Sequence, residues 1–428
     1  MKAVILAGGF GTRLGNVSRN IPKPMTLICG KPVLEHQINA LKKEGISEFV
    51  FVVGYLSEKI EEYFADGSRF GVSISYFRED MPLGTAGALF RMNLTEDFLL
   101  CNGDLIFDFS VKKMQKFHEK NNALATLFTH PNNHPYDSTV IVTYENECVN
   151  GFISGRNKPE SYQNLCNAGI QIISPELLKM YHIDGEANLD RDVIMPAVKT
   201  GRIYSYKSAE YVHDMGTPDR LKSVEKDIEQ GNVQNRHSER LQKAVFLDRD
   251  GTVNKLKGFI CKPCDIELVD NVAEAINTFH SLGYIVIVVT NQPVIARGEC
   301  TAETMKEIHN RLETMLGEKG AYLDEIYYCP HHPDKGFEGE VEELKIRCEC
   351  RKPAPGLLLK AQRDFNIDMS ASFMVGDSEI DVQAGINAGC TPVKLGIQDS
   401  SIQECKCMTF GSVYEFSKYL SDNFPKST

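Results

Sequence analysis

The chain contains no apolar run approaching the ~18 residues that a membrane-spanning helix requires. It therefore offers no segment for insertion by an α-helix. It also lacks any cluster of lysine and arginine, and its net charge is −11. Nucleic acids and anionic membrane surfaces are held by grouped cations that displace counterions, so neither is an expected partner. No hexapeptide repeat is present, which excludes a left-handed β-helix appendage. The first apolar run, Ala3 to Ala7, breaks into glycines and is too short for a secretory leader. The expected compartment is the cytoplasm. The 13 cysteines are an odd number, and many fall in strand-like runs such as Leu99 to Cys101. That usage suits small core residues in a reducing compartment and not a disulfide framework.

What is present is the material for real cores: 42% of the 428 residues are apolar, and the length predicts two or three domains. Short apolar runs, among them Phe49 to Val53, Phe98 to Cys101, Ala244 to Leu247, Ile285 to Val289 and Phe373 to Val375, alternate with amphipathic segments of helical length. This alternation predicts two α/β units. The polar stretch Gly231 to Arg240 has no strand pattern and precedes a fresh strand and loop. It places a linker at 233–242 between domains at 1–232 and 243–428. Leu221 to Ile228 reads as the helix closing the first domain, Ser412 to Leu420 as the one closing the second, and Ile203 to Val212 as a strand.

In the first domain, the strand Lys2 to Ala7 runs into Gly8-Gly9-Phe10-Gly11-Thr12-Arg13-Leu14. Three glycines let backbone amides approach phosphates closely, and Arg13 adds a forked cation. The loop matches neither the Rossmann fingerprint nor the Walker loop. Pro22-Lys23-Pro24 presents a second charge between two residues of fixed φ. Asn102-Gly103-Asp104 and His213-Asp214 each place a carboxylate at a strand end. Such aspartates are common turn residues, and a pair of them also suits Mg²⁺ held against a nucleoside triphosphate.

In the second domain, the strand Ala244 to Leu247 ends in Asp248-Arg249-Asp250-Gly251-Thr252, two carboxylates one residue apart. One can attack phosphorus while the other protonates the departing oxygen, if their environments differ. The same pattern also occurs in calcium loops and bends. Thr290-Asn291-Gln292, Lys352 and Gly376-Asp377, with Asp381 four residues on, follow later strands or loops. The carboxyl ends of strands in a doubly wound sheet form its ligand crevice, so these residues collect there as nucleophile, phosphate donor, cation and metal ligand. Cys329-Pro330-His331, sixteen intervening residues and then Cys348-Glu349-Cys350 lead directly into Arg351-Lys352-Pro353. Four soft ligands at this spacing can close a tetrahedral zinc site with no open position, so the expected metal is structural and would pin the loop carrying Arg351 and Lys352. His332 is an alternative to His331. Cys261 and Cys264 have no matching second half-site and stay out of the metal assignment.

Residues 1 to about 230 resemble the sugar-1-phosphate nucleotidyltransferases, through Gly-Gly-x-Gly-Thr-Arg-Leu and Pro-Lys-Pro. The resemblance implies a Rossmann-like mixed sheet. It further implies attack of a sugar 1-phosphate oxygen on the α-phosphorus of a nucleoside triphosphate, with Gly8, Gly9, Gly11, Thr12, Arg13 and Lys23 at the phosphates and Asp104 and Asp214 holding Mg²⁺. Leu83 to Gly87 is similar to the loop that contacts base and sugar, giving Gly84 and Thr85. Asn167-Ala168-Gly169 is similar to the sugar-contacting strand, and Lys158 in Asn157-Lys158-Pro159 stands where the family's Glu-Lys-Pro lysine meets the sugar phosphate.

Residues 243 to 396 resemble the haloacid-dehalogenase-type phosphatases, and the cysteine-histidine loop narrows this to the heptose bisphosphate and histidinol phosphate branch. The branch implies a doubly wound parallel sheet with a zinc-bound loop. Asp248 is then the nucleophile, Asp250 the acid and base, and Thr290 and Lys352 the phosphate ligands. Asn291 and Gln292 line the site, Arg297 and Arg351 reach a far phosphate, and Asp248, the Asp250 carbonyl and Asp377 bind Mg²⁺. Pro293-Val294 replaces the branch's Ser-Gly, removing a backbone N–H. Together the two resemblances imply a bifunctional enzyme. It would take the 7-phosphate from D-glycero-D-manno-heptose 1,7-bisphosphate, then transfer GMP from GTP to the α-heptose 1-phosphate. A hexose such as mannose 1-phosphate, histidinol phosphate for the phosphatase, or a non-catalytic first domain are the alternatives. A homo-oligomer is compatible with all of them.

Overall fold

The computed structural model describes residues 1–8, 21–155, 158–396 and 407–423. They divide into two compact units. One comprises Met1–His130, Ile141–Ile153 and Asn167–His237; the other comprises Pro131–Val140, Ser154–Cys166 and Ser238–Thr428. The last division between them lies between His237 and Ser238, just after a helical turn, Asn232–Asn235, with Val233 buried. The two excursions into the second unit were not expected. The later one is held there by hydrogen bonds from Tyr162 N to Thr314 Oγ1 (3.0 Å) and from Asn164 N to Glu313 Oε2 (3.0 Å), and Asn164 Nδ2 ties the earlier one to it by donating to Asn132 O at 2.7 Å.

The first unit is built on a mixed sheet of nine strands among the described residues. Its centre is β1 (Ala3–Leu6), flanked in parallel by β2 (Glu48–Val53) and by β3 (Phe98–Asn102). These runs carry apolar side chains on both faces, as a strand covered on both sides requires. On one face Phe51 meets Phe64 edge to face at 5.5 Å and Tyr76 at 6.0 Å. A short strand, β4 (Leu105–Asp108), leaves the main sheet, and β5 (Cys166–Ile173) pairs antiparallel with β3. The single strand expected over Ile203 to Val212 is two. Ile203–Lys207 pairs parallel with Ala125–His130, whereas β6 (Tyr211–Asp214) pairs antiparallel with β4. Between them Ser208 and Glu210 are buried polar residues bonded to each other, and Glu210 also accepts from Ser110 N, so the chain turns there.

The second unit contains a six-stranded parallel sheet. Its middle strands are β7 (Lys243–Leu247), β8 (Tyr284–Asn291), β9 (Glu325–Cys329) and β10 (Phe373–Gly376), in spatial order β9-β8-β7-β10. The continuous apolar run Ile285 to Val289 is wholly buried, as expected of a central parallel strand. Helices Val272–Ser281 and Val413–Asn423 pack together through Phe279 and Phe416 at 5.7 Å. All four strands end on the same edge, and their register sets Asn291 beside Cys329 and Leu247 between Val288 and Val375. No helix among the described residues is long and apolar enough to cross a membrane.

Candidate functional site

In the first unit the C-terminal ends of β1 and β3 lie side by side, with Leu6 opposite Asn102. Gly8 follows β1; Gly9, Gly11, Thr12 and Arg13 lie outside the described residues. Gly103 N donates to Leu6 O at 3.0 Å, and buried Gln37 donates to the carbonyls of Asn102 (2.9 Å) and Leu105 (2.8 Å). That brace, invisible as a motif, holds the turn carrying Asp104. The Asp104 carboxylate receives the Lys23 ammonium, while Asp104 O accepts from Met215 N at 3.2 Å, next to Asp214 at the end of β6. Asp214 is held bidentate by Arg220, both contacts at 2.8 Å, and accepts from Gly216 N at 2.8 Å. Burial acts to raise its pKa, but these donors prevail and keep it below the usual carboxylate range. Each expected metal-binding aspartate of this unit thus faces a cation in the free protein.

Asn167 and Gly169 sit on β5 against the same turn. Gly169 has φ +77°, and a side chain there would run into the Asn102 amide, so only glycine permits the approach. Asn167 accepts from Gly169 N at 3.1 Å and donates to Asp190 Oδ1 at 3.3 Å. Asp190, largely buried and with its pKa raised by that burial, was not singled out from the sequence. It lies on a widened helical turn, Leu189–Ile194, which Thr85 fastens by accepting from Leu189 N at 2.8 Å. Gly84 and Thr85 are thereby joined to Asn167 and Gly169. Lys158 lies in the other unit. It belongs to an excursion in the second unit, where its ammonium is bound by the carbonyls of Pro135 and Ser138, and burial lowers its pKa.

In the second unit, the strand ends gather Asp248, Thr290, Asn291 and Asp377. Lys352 is buried, and its Nζ donates to Asp248 Oδ1 at 2.7 Å and Asp381 Oδ1 at 2.5 Å. Burial acts to lower the lysine's pKa, but the two carboxylates outweigh it and the net direction is up. The lysine therefore remains a cation. Asn291 clamps its peptide from both sides, accepting from Lys352 N and donating to Lys352 O, each at 3.0 Å. Burial raises Asp248 despite Lys352. Asp248, Asp377 and Asp381 each offer an oxygen, all within 4.8 Å of one another. Gly251, at φ +83°, leaves the space in which Asp377 lies; a Cβ there would collide with its carboxylate. Asp381 is the metal-cluster member that the expected ligand set lacked. Its Oδ2 accepts from Ser378 Oγ at 2.5 Å, and the pair forms the capping box of the helix Glu379–Ala388.

The Asp250 carboxylate is not part of that acidic cluster. It accepts from Arg249 (2.9 and 3.0 Å), Asn254 Nδ2 (3.0 Å) and Gln292 Nε2 (3.0 Å); Gln292 also donates to Thr290 Oγ1 at 2.9 Å. Its expected metal contact was through the backbone carbonyl, with which this side-chain placement is consistent.

Cys329, His331, Cys348 and Cys350 form the second potential metal group. Sulfur separations are 3.2, 3.3 and 3.6 Å, and His331 Nδ1 lies 3.3 Å from Cys350 and 3.6 Å from Cys329. A tetrahedron with metal–sulfur bonds of ~2.3 Å has edges of about 3.8 Å, so a small outward movement fits a zinc-sized ion. Cys350 is pushed down to about 5, mainly by its hydrogen bonding with Cys329, while Cys329 is pushed up. The cluster thus favours a thiolate, the form that binds metal. His332 points elsewhere, accepting from Asp334 N at 3.2 Å, so of the two histidines it is His331 that joins the group. Arg351 donates to His331 O at 3.2 Å, and Arg297 is stacked between Phe259 and Phe337 at 4.4 and 4.6 Å. Cys261 and Cys264 join no such group among the described residues.

Residues 2–231 match the nucleotidyl transferase family, and residues 349–396 match a HAD-hydrolase-like family. The chain is 46% identical over 145 residues to a D-glycero-beta-D-manno-heptose-1,7-bisphosphate 7-phosphatase of Yersinia pestis, covering 34% of this chain and 75% of that protein. It is 35% identical over 227 residues to the catalytic subunit beta of mannose-1-phosphate guanylyltransferase of Danio rerio, covering 51% of this chain and 62% of that one. Among solved structures, HddC from Yersinia pseudotuberculosis aligns at 24% identity over 53% of this chain and 99% of its own, with a TM-score of 0.46.

Proposed function

The chain belongs to the nucleotidyl transferase family over residues 2–231 and to the HAD-like phosphatases beyond it, and from that premise we propose that it catalyses two consecutive steps on one sugar. The second unit removes the 7-phosphate of D-glycero-D-manno-heptose 1,7-bisphosphate. The first transfers GMP from GTP to the resulting heptose 1-phosphate, releasing pyrophosphate and forming GDP-heptose in the cytoplasm. The observation that carries this reading is the joining, in one chain, of a match to a named heptose bisphosphate phosphatase and a match to a nucleotidyl transferase. The product of the one chemistry is a substrate for the other.

In the phosphatase, an Asp248 oxygen attacks the 7-phosphoryl phosphorus, the bond to the sugar O7 breaks, and Asp250 supplies the proton to that oxygen. Water then attacks the aspartyl phosphate, giving its proton to Asp250 and restoring Asp248. Lys352 and Thr290 bind the phosphoryl oxygens, and Arg297 and Arg351 contact the remote phosphate. Asp248, Asp377 and Asp381 suit Mg²⁺, a hard cation preferring carboxylates with phosphate, which would offset phosphoryl charge. The thiolate and imidazole set suits structural Zn²⁺. In the transferase, Lys23 and Arg13 stabilise charge at the α-phosphate, and Asp104 and Asp214 would hold Mg²⁺ once Lys23 and Arg220 release their carboxylates. Asn167, Gly169 and Asp190 line the sugar side. We assign the α-anomer; the Yersinia pestis phosphatase is named for the β-anomer, and Pro293-Val294, in place of the branch's Ser-Gly, is the difference to which we assign the change.

Mannose 1-phosphate is the second reading for the first unit, favoured by the likeness to the Danio rerio protein. Turnover of heptose and mannose 1-phosphates with each of four nucleoside triphosphates separates the two. Asp104→Ala is expected to abolish pyrophosphate release while leaving phosphate release unchanged. An unaltered nucleotidyl rate would remove Asp104 from the site.

A further inference from the structure

Arg249 stands between the two aspartates of the Asp-x-Asp loop, and nothing in the proposed chemistry uses it. It is nonetheless the largest fully buried side chain among the described residues, at 0% exposure. A guanidinium so enclosed must find a full set of partners, because an unpaired buried charge is strongly unfavourable. Its partners are few and specific. Nη2 donates to Asp250 Oδ2 at 2.9 Å and Oδ1 at 3.0 Å, and Nε to Oδ1 at 3.2 Å. Nη1 points the other way, to His309 Nε2 and Met305 Sδ, both at 3.4 Å. His309 lies on the helix Ala302–Glu318 and packs edge-on against Tyr328 at 5.3 Å. Burial, with Arg249 beside it, holds the imidazole neutral, so its ring nitrogen is free to accept.

The result is a rod of three side chains running from a packed helix to a catalytic carboxylate. Asn254 and Gln292 steady the same carboxylate from other sides, but each offers it one donor. Arg249 alone grips both oxygens, which fixes the plane of the carboxylate as well as its position. We propose that Arg249, backed by His309, is the positioning residue that aims Asp250 at the leaving oxygen and at the attacking water. The inference rests on the assignment of Asp248 as nucleophile and Asp250 as proton-transfer group. Proton transfer is worth about 10²–10⁴-fold in rate and demands close alignment, so misaiming Asp250 should slow chemistry without weakening binding.

The leaving group supplies the test. A sugar oxygen needs a proton as it departs, whereas p-nitrophenolate leaves without one; water attack on the aspartyl phosphate needs Asp250 in either case. Arg249→Met in the full chain is compared with wild type, Asp250→Asn and Asp248→Asn by rapid quench, using heptose bisphosphate and p-nitrophenyl phosphate with Mg²⁺. Arg249→Met should release one equivalent of p-nitrophenol per site in a burst within about tenfold of the wild-type rate, then turn over at least about a hundredfold more slowly. With the sugar bisphosphate it should show no burst, a kcat lowered by at least about a hundredfold and a KM within about threefold. Arg249→Lys, which keeps the charge but not the fork, should show the same pattern at an intermediate rate, and it serves if the Met variant does not fold. Equal slowing of the p-nitrophenol burst and of sugar phosphate cleavage in the Arg249 variants, or unchanged rates, would overturn the inference. Failure of Asp250→Asn to distinguish the two leaving groups, or activity surviving in Asp248→Asn, would instead overturn the underlying reading.

Discussion

Replacing Lys352 by Met removes the cation that bridges Asp248 and Asp381, at 2.7 and 2.5 Å, and leaves two carboxylates facing each other in a buried site. Breaking one partner of a buried ion pair costs about 3–5 kcal/mol, because the remaining charge stays uncompensated. For a domain of this size each kcal/mol lowers Tm by about 2–4 °C, so the phosphatase unit should melt roughly 6–20 °C lower in the absence of added Mg²⁺. Adding Asp381→Asn to the same chain removes one of the opposed charges. The double variant should recover part of the loss, with a coupling of about 1–3 kcal/mol by the double-mutant cycle. Phosphate release should fall at least about a hundredfold in both variants, since the cation proposed to bind the phosphoryl group is gone, while nucleotidyl transfer proceeds. Thermal unfolding and phosphate release, measured side by side, give both readouts. A Lys352→Met unfolding transition within about 2 °C of wild type, or no coupling with Asp381→Asn, would refute the electrostatic argument.

Further expected outcomes concern the metal loop and pH. Cys350→Ser, or exhaustive chelation, should release about one equivalent of zinc by elemental analysis and slow the phosphatase more than the transferase, because the loop positions Arg351 and Lys352. Protein purified without chelator and carrying no zinc would contradict this. His309 has its pKa lowered to about 3, mainly by burial and further by Arg249, from an ordinary value of 6.5. The unfolded chain therefore binds the extra proton, and stability from this group, full above pH 6.5, declines as pH falls toward 3. Between pH 6.5 and 5 the loss is about 2 kcal/mol. His309→Gln should flatten that slope in urea unfolding of the phosphatase unit; an identical slope would place the acid sensitivity elsewhere.

The strand ends were legible because a short apolar run followed by a carboxylate or hydroxyl is a local pattern: Asp248, Thr290 and Asp377 all emerge where β7, β8 and β10 finish. The four metal-site donors were legible from spacing alone, since the side chains that converge are all potential ligands. The choice of His331 over His332 was not, because two adjacent residues differ only in the direction each leaves the loop. Asp381 was visible as a nearby acid but not as a Lys352 partner, although Ser378 followed three residues later by Asp381 is a readable helix start. Arg249 gave no signal, because residues within an Asp-x-Asp turn have no fixed period and its partner His309 is sixty positions away. The partners of Lys158, the carbonyls of Pro135 and Ser138, were not legible for a related reason. Its backbone belongs to a loop whose packing against Thr314 and Glu313 depends on residues some 150 positions distant.

The products formed by the full chain test most directly whether the two units act in sequence on one sugar. Purified protein given α-heptose 1,7-bisphosphate, GTP and Mg²⁺ should release phosphate and pyrophosphate in equal amounts while a GDP-heptose accumulates, detected by mass spectrometry. Heptose 1-phosphate should yield pyrophosphate alone. Phosphate without pyrophosphate from the bisphosphate, together with no nucleotidyl transfer to heptose 1-phosphate, would contradict the claim that the two units serve consecutive steps on one sugar.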